Sequence, residues 1–104
     1  MAAVVVWTAL PKRADAERLA RKLVAKRLAA CSTVAGGGVS FYRWKGKLEK
    51  AGEFLLFIKT SRKKFPLVRD FIRSVHPYEL PEIIALPVAG GSRAYLRWVE
   101  ECVK

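Results

Sequence analysis

Five apolar residues in succession, Phe54-Leu55-Leu56-Phe57-Ile58, stand between Glu53 and Lys59. Successive side chains of a strand point to opposite faces, so this run leaves neither face polar. The strand-like segment 39–44 precedes it, with turn signals at Lys45-Gly46-Lys47 and Ala51-Gly52 in between. Together they read as a long hairpin whose second strand is apolar on both sides. Val4-Val5-Val6-Trp7 shows no polar alternation either. One layer of helices covers one face of a sheet, so a second molecule is expected on the other. At about 25 cal/mol per Å² of apolar area, exposing several such side chains would forgo several kcal/mol and invite aggregation. A homo-oligomer is the economical solution.

The rest of the chain supplies the other elements. Residues 4–9 form a β-branched run closed by Leu10-Pro11. Ala16, Leu19, Ala20, Leu23, Val24 and Leu28 recur three and four apart, which is one apolar stripe of a helix. Phe65, Val68, Ile72 and Val75 trace a second stripe, with Pro66 acceptable in its first turn and Pro77 beyond its end. Residues 83–88 are a further strand, Gly90-Gly91 breaks it, and Ser92 is placed to cap a last helix carrying Tyr95, Trp98, Val99 and Cys102. The order β-α-β-β-α-β with a C-terminal helix is an α+β, ferredoxin-like plan. At 104 residues it is a single domain, residues 1–104, with a core of its own.

Charge and cysteines bound the setting. Twenty Lys and Arg against nine Asp and Glu give +11, a balance that attracts polyanions. The cations follow the two helical repeats on the sides away from the apolar stripes, which reads as a solvated basic surface. Cys31 and Cys102 lack CxxC spacing and fit a reducing compartment. The first residues have no basic n-region, and no stretch approaches the roughly 18 apolar residues of a membrane span. A cytoplasmic protein is expected.

The candidate chemistry gathers after the second helix, in His76-Pro77-Tyr78-Glu79-Leu80-Pro81-Glu82. An imidazole and carboxylates suit copper or zinc, with Cys31 as the sulfur donor if the sheet brings it near. The structural alternative makes His76 a helix C-terminal cap and Cys31 a small buried hydrophobe. No second histidine completes a Ser-His-Asp set, and no phosphate-cradling glycine motif or catalytic carboxylate pair is present. The chain is not expected to be an enzyme. Tyr42 and Trp44 lie on one strand face, as base-stacking aromatics do, but Glu53-Phe54-Leu55-Leu56-Phe57 has neither the basic start nor the glycine of such a platform. Nucleic acid is therefore not expected as a partner. Tyr42, Trp44, Phe54 and Leu56 read as interface residues instead.

Ala29-Ala30-Cys31, Tyr42-Arg43-Trp44-Lys45-Gly46-Lys47, His76-Pro77-Tyr78-Glu79-Leu80-Pro81-Glu82 and Tyr95-Leu96-Arg97-Trp98, in this order, resemble the CutA divalent-cation tolerance family over about residues 4–103. The resemblance implies a trimer with sheets packed around a three-fold axis, a role in copper or other divalent-cation tolerance, and Cys31 and His76 as copper ligands; the residues themselves add Glu79 and Glu82 as candidate assisting carboxylates. The chain departs from the family pattern at Thr33, where asparagine is usual, and at Gly36, where proline is usual. Gly36-Gly37-Gly38 is expected to loosen the backbone beside the thiol. Few carboxylates follow the turn, so weaker metal affinity is expected. A PII-like trimer sensing a small anion between subunits, at Lys59, Arg43 and Tyr78, is the alternative, with polyanion binding third.

Overall fold

The computed structural model describes residues 3–104. The elements are β1 (Ala3–Leu10), α1 (Arg13–Ala25), β2 (Cys31–Trp44), β3 (Lys47–Ser61), a 3₁₀ turn (Arg62–Lys64), α2 (Phe65–Val75), β4 (Ile84–Pro87) and α3 (Arg93–Cys102). The strands form one antiparallel sheet in the order β2-β3-β1-β4, the expected plan. Arg27 adopts φ 59 just after α1, a left-handed residue that stops the helix. Pro66 lies in the first turn of α2, and the Ser92 hydroxyl accepts from the Tyr95 N–H at 3.4 Å to start α3.

The core lies between the helices and one face of the sheet. Val4, Val6, Leu10, Leu56 and Ile58 meet Leu19 and Leu23 of α1 and Val68 and Ile72 of α2. Thr60, fully buried on the same face, donates to the Leu28 carbonyl at 2.7 Å and ties down the α1–β2 connection. Leu56 has no exposed surface and Phe54 packs on this core. The interface role expected of these two is therefore corrected: their parity directs them beneath the helices of their own chain. Leu55 and Phe57, one residue along, take the opposite face.

Directly opposed residues of antiparallel strands share a face, so the register gives that second face row by row. One row reads Thr33, Phe57, Trp7, Ile84 and the next Cys31, Lys59, Val5, Leu86. Trp7 and Phe57 meet edge to face at 4.7 Å, and Ile84 and Leu86 remain 45% and 46% exposed. The chain's own helices α1 and α2 cover the other side, while α3 contacts β1 and β3 outside that core and packs Val99 and Val103 on Ala30, so the apolar surface that α3 leaves open, with Ile84 and Leu86, is what remains for a further molecule.

The hairpin is longer than its sequence signals suggest. Lys45 and Gly46, both at positive φ, form its two-residue turn, a conformation matched to the twist of paired strands. Ala51-Gly52 is no turn: Gly52 pairs with Val39 inside the ladder. Gly36-Gly37-Gly38 likewise lies within β2, at a bulge between Ala35 and Gly38 where Gly37 has φ +80. Cys31 through Ala35 pair regularly with β3, so the expected loosening beside the thiol does not occur. Beyond Phe54, which pairs with Leu10, β3 keeps only β2 as a neighbour. The hairpin then projects as a two-stranded arm with Phe41 at 65% and Leu48 at 75% exposure.

Candidate functional site

A groove of about 870 Å³ opens between the root of this arm and the segment 77–84. Ser40, Phe41, Tyr42, Arg43 and Trp44 line one wall, Pro77 through Ile84 the other, and Ala9 and Glu53 also contribute to the lining. Glu53 has the parity of Leu55 and Phe57 and so points to the face away from the helices. It is only 8% exposed. Its Oε2 accepts from the Tyr78 hydroxyl at 2.9 Å, and Glu53 forms no salt bridge among the described residues. Burial and this carboxylate, which disfavours a second negative charge, push the Tyr78 phenol up to about 12.

His76 anchors the same wall from behind. It is the C-terminal cap of α2, in extended conformation, and its N–H bonds the Ile72 carbonyl at 2.9 Å. Its Nε2 lies 2.8 Å from the Ala9 carbonyl oxygen, and the Tyr78 N–H donates to Nδ1 at 3.1 Å. A carbonyl only accepts, so Nε2 carries the proton and Nδ1 offers its lone pair: the ring is the neutral Nε2–H tautomer. The position follows from the sheet. β4 stops opposite Trp7, while β1 continues to Leu10, and the imidazole takes up a β1 carbonyl that β4 does not reach. Burial lowers the His76 pKa, against the opposing pull of the Ala9 bond and the Glu53 charge.

These contacts decide between the two readings of His76. A ring with both nitrogens engaged has no lone pair to give a metal, so the structural reading holds in this conformation. Cys31 stands apart from it. The thiol shares a row with Lys59 and Val5, four residues along β1 from Ala9. At ~3.3 Å per residue and ~4.8 Å per strand, that is roughly 13 Å along the sheet and two strands across it. Cys31 Sγ lies 4.0 Å from Thr33 Oγ1, which accepts from Lys59 Nζ at 2.8 Å. Among the described residues, no three His, Cys, Asp or Glu side chains converge to hold a metal ion. The set Cys31, His76, Glu79 and Glu82 therefore does not fit one metal within one chain.

Of the remaining expected residues, Glu79 and Glu82 are exposed and line the groove, as do Tyr42 and Trp44. Arg43 and Tyr78 also line it, but Lys59 does not: it lies six residues along β3 from Glu53, about 20 Å at the usual rise. Glu53 escaped the sequence reading, which used it only as the acidic start of a strand. The available signal was a carboxylate in phase with Leu55 and Phe57; its partner Tyr78, 25 residues on, is visible only in the fold. In a chain of +11, the groove holds three carboxylates, Glu53, Glu79 and Glu82, against one cation, Arg43. Lys45 and Lys50 stand over the rings of the lining residues Trp44 and Phe41, so the carboxylate excess is local to Glu53 and the segment 77–84.

Comparison with known proteins agrees with this fold. The family described as CutA1 divalent ion tolerance protein matches residues 4–102. The Thermus thermophilus divalent-cation tolerance protein CutA is 42% identical over 93% of this chain and 94% of its own. Human protein CutA is 48% identical over 88% of this chain, which spans 51% of the human protein's length. Among solved structures, CutA1 of Oryza sativa superposes with a TM-score of 0.96 at 34% identity, covering 100% of this chain and 95% of its own. The Archaeoglobus fulgidus relative, with a TM-score of 0.94 at 37% identity over 98% of this chain and 99% of its own, is described as periplasmic. A relative from Arabidopsis thaliana, 37% identical over 97% of this chain and 56% of its own length, is described as chloroplastic.

Proposed function

Since this chain belongs to the CutA1 divalent ion tolerance family, we propose that it serves divalent-cation tolerance as a non-catalytic homotrimer that attracts cations into the groove at the root of its arm. The carrying observation is the charge local to Glu53 and the segment 77–84 of that groove, whose lining carboxylates outnumber its lining cations three to one although the whole chain carries +11. The same imbalance disfavours a small anion there, so the PII-like alternative loses its support along with Lys59.

Assembly follows from the uncovered surfaces. Val5, Trp7, Leu55, Phe57, Ile84 and Leu86 make one face apolar, and the arm is a two-stranded element of a kind that is marginal by itself. Copies of the chain would cover both, with Tyr42 and Trp44 as interface aromatics on the arm.

A cation held at full coordination takes ligands from more than one copy. Cys31, Glu79 and Glu82 have donor atoms to offer, whereas His76 serves the fold. Copper is the metal best matched to a thiolate, and zinc the next. Cys31 and Cys102 are free thiols, in keeping with a reducing, cytoplasmic setting.

The test is a titration of reduced protein with copper, zinc and magnesium, paired with light scattering. A mass near three times 11.7 kDa, with copper bound most tightly and affinity reduced in Glu79→Gln/Glu82→Gln, is the expected result. A stable monomer, or affinity indifferent to both carboxylates, would remove the reading.

A further inference from the structure

The structure concentrates the basic charge on the helix layer. Twelve of the twenty Lys and Arg residues lie in two segments, 12–27 and 62–73, which hold only three acids, Asp15, Glu17 and Asp70. Those acids pair with Arg18 at 2.9 Å, Arg13 at 3.5 Å and Arg69 at 2.9 Å. Nine cations of the layer are left with no carboxylate partner among the described residues. Outside these segments the charges nearly cancel, eight cations against six acids. The two helices are neighbours, bridged by Lys26 Nζ over the Phe71 ring at 5.4 Å, so the cations share one surface. They stand on the side of the sheet opposite the apolar face, with Arg21, Lys22, Arg62 and Lys63 exposed.

From this we infer that the α1–α2 surface is a docking site for the phosphate backbone of duplex nucleic acid, without sequence preference. The inference is independent of the cation role of the groove. α1, with 13 residues, is about 20 Å long at 1.5 Å per residue. A duplex offers a phosphate per ~1.7 Å of axis, so a patch of this length meets more phosphates than it has free cations. Seven of the twelve cations are arginines, whose planar fork matches a phosphate.

Two other polyanions fit less well. Single strands need free aromatic faces, but Phe65 and Phe71 are capped by Arg69 and Lys26. Anionic membranes favour a helix with an apolar side to insert, and here Leu19, Leu23, Val68 and Ile72 are buried against the sheet.

The probe is a labelled DNA duplex of about 20 base pairs, followed by anisotropy against the full chain, with a second duplex of unrelated sequence. For about six neutralised phosphates, affinity should fall roughly 10³-fold between about 50 and 200 mM salt and be alike for both duplexes. The variant Arg21→Glu/Lys22→Glu/Arg62→Glu/Lys63→Glu should lose most of the binding and flatten the salt slope. Its charge-matched control, Lys47→Glu/Arg93→Glu/Arg97→Glu/Lys104→Glu, should lose far less. The milder Arg21→Gln/Lys22→Gln pair, with far-UV circular dichroism as the folding check, keeps the test decisive if the quadruple variant misfolds. No binding at low salt, equal loss in the two quadruple variants, or tighter binding to phosphatidylserine vesicles than to duplex would each overturn the inference.

Discussion

Replacing His76 by Ala should destabilise the protein without removing a metal ligand. The side chain makes two hydrogen bonds, Nε2–H to the Ala9 carbonyl at 2.8 Å and Nδ1 from the Tyr78 N–H at 3.1 Å, both in partly buried surroundings. Net hydrogen bonds contribute about 1 kcal/mol each, and a partly buried carbonyl or N–H left without a partner adds its desolvation cost, so a loss of about 2–3 kcal/mol is expected. Gln at this position can still donate to Ala9 and should recover about 1 kcal/mol of that loss.

The histidine also sets a pH dependence. Its pKa is lowered in the fold, chiefly by burial, so the unfolded chain takes the proton first as pH falls below 6.5. The contribution is complete above 6.5 and is lost as pH falls through the lower folded value. Parent and His76→Ala should therefore converge in stability in acid. Urea unfolding at one fixed protomer concentration, repeated across pH, measures both effects, because the stability of an oligomer depends on concentration. A His76→Ala variant within about 0.5 kcal/mol of the parent at neutral pH would refute the clamp, since surface changes away from specific contacts cost no more than that. Loss of copper affinity at unchanged stability would return His76 to the metal.

Three further outcomes follow from the same geometry. The Tyr78 phenol, raised from 10.0 to about 12, contributes stability that is complete below 10 and is lost as pH rises toward 12; Tyr78→Phe should lack that alkaline slope in unfolding curves. Leu56→Ala should cost about 2–5 kcal/mol in denaturant unfolding, as core truncations do, whereas Phe57→Ser and Trp44→Ala should chiefly lower the mass seen by light scattering. Cys31→Ser should weaken copper binding in calorimetry and leave the mass seen by light scattering unchanged; unchanged affinity would make the thiol structural.

The two apolar periods determined a great deal. Spacing of three and four marked the inward sides of α1 and α2, although Val24 and Val75 of those stripes are exposed, and Phe54 to Ile58 announced a strand with no polar side, hence a sheet with a second surface to cover. Pro66, Pro77 and Ser92 marked helix ends correctly because their effects are local: a fixed φ, a missing N–H, a hydroxyl within reach of the next turn. Gly52 and the glycines of the bulge were misleading for the same reason, since the ladder with the opposite strand overrode their local preference.

What the tertiary structure decided rests on long-range register. Leu56 or Leu55 for the free face is a matter of one residue of phase, which an all-apolar run does not encode. The partners of His76 lie 67 residues upstream at Ala9 and, for the network it joins through Tyr78, at Glu53, so its tautomer and its lack of a free lone pair were invisible along the chain. Cys31 and His76, both chemically fit for copper, are separated because pairing places them at different levels of the sheet. Composition named the donors; only the strand register set the distance between them.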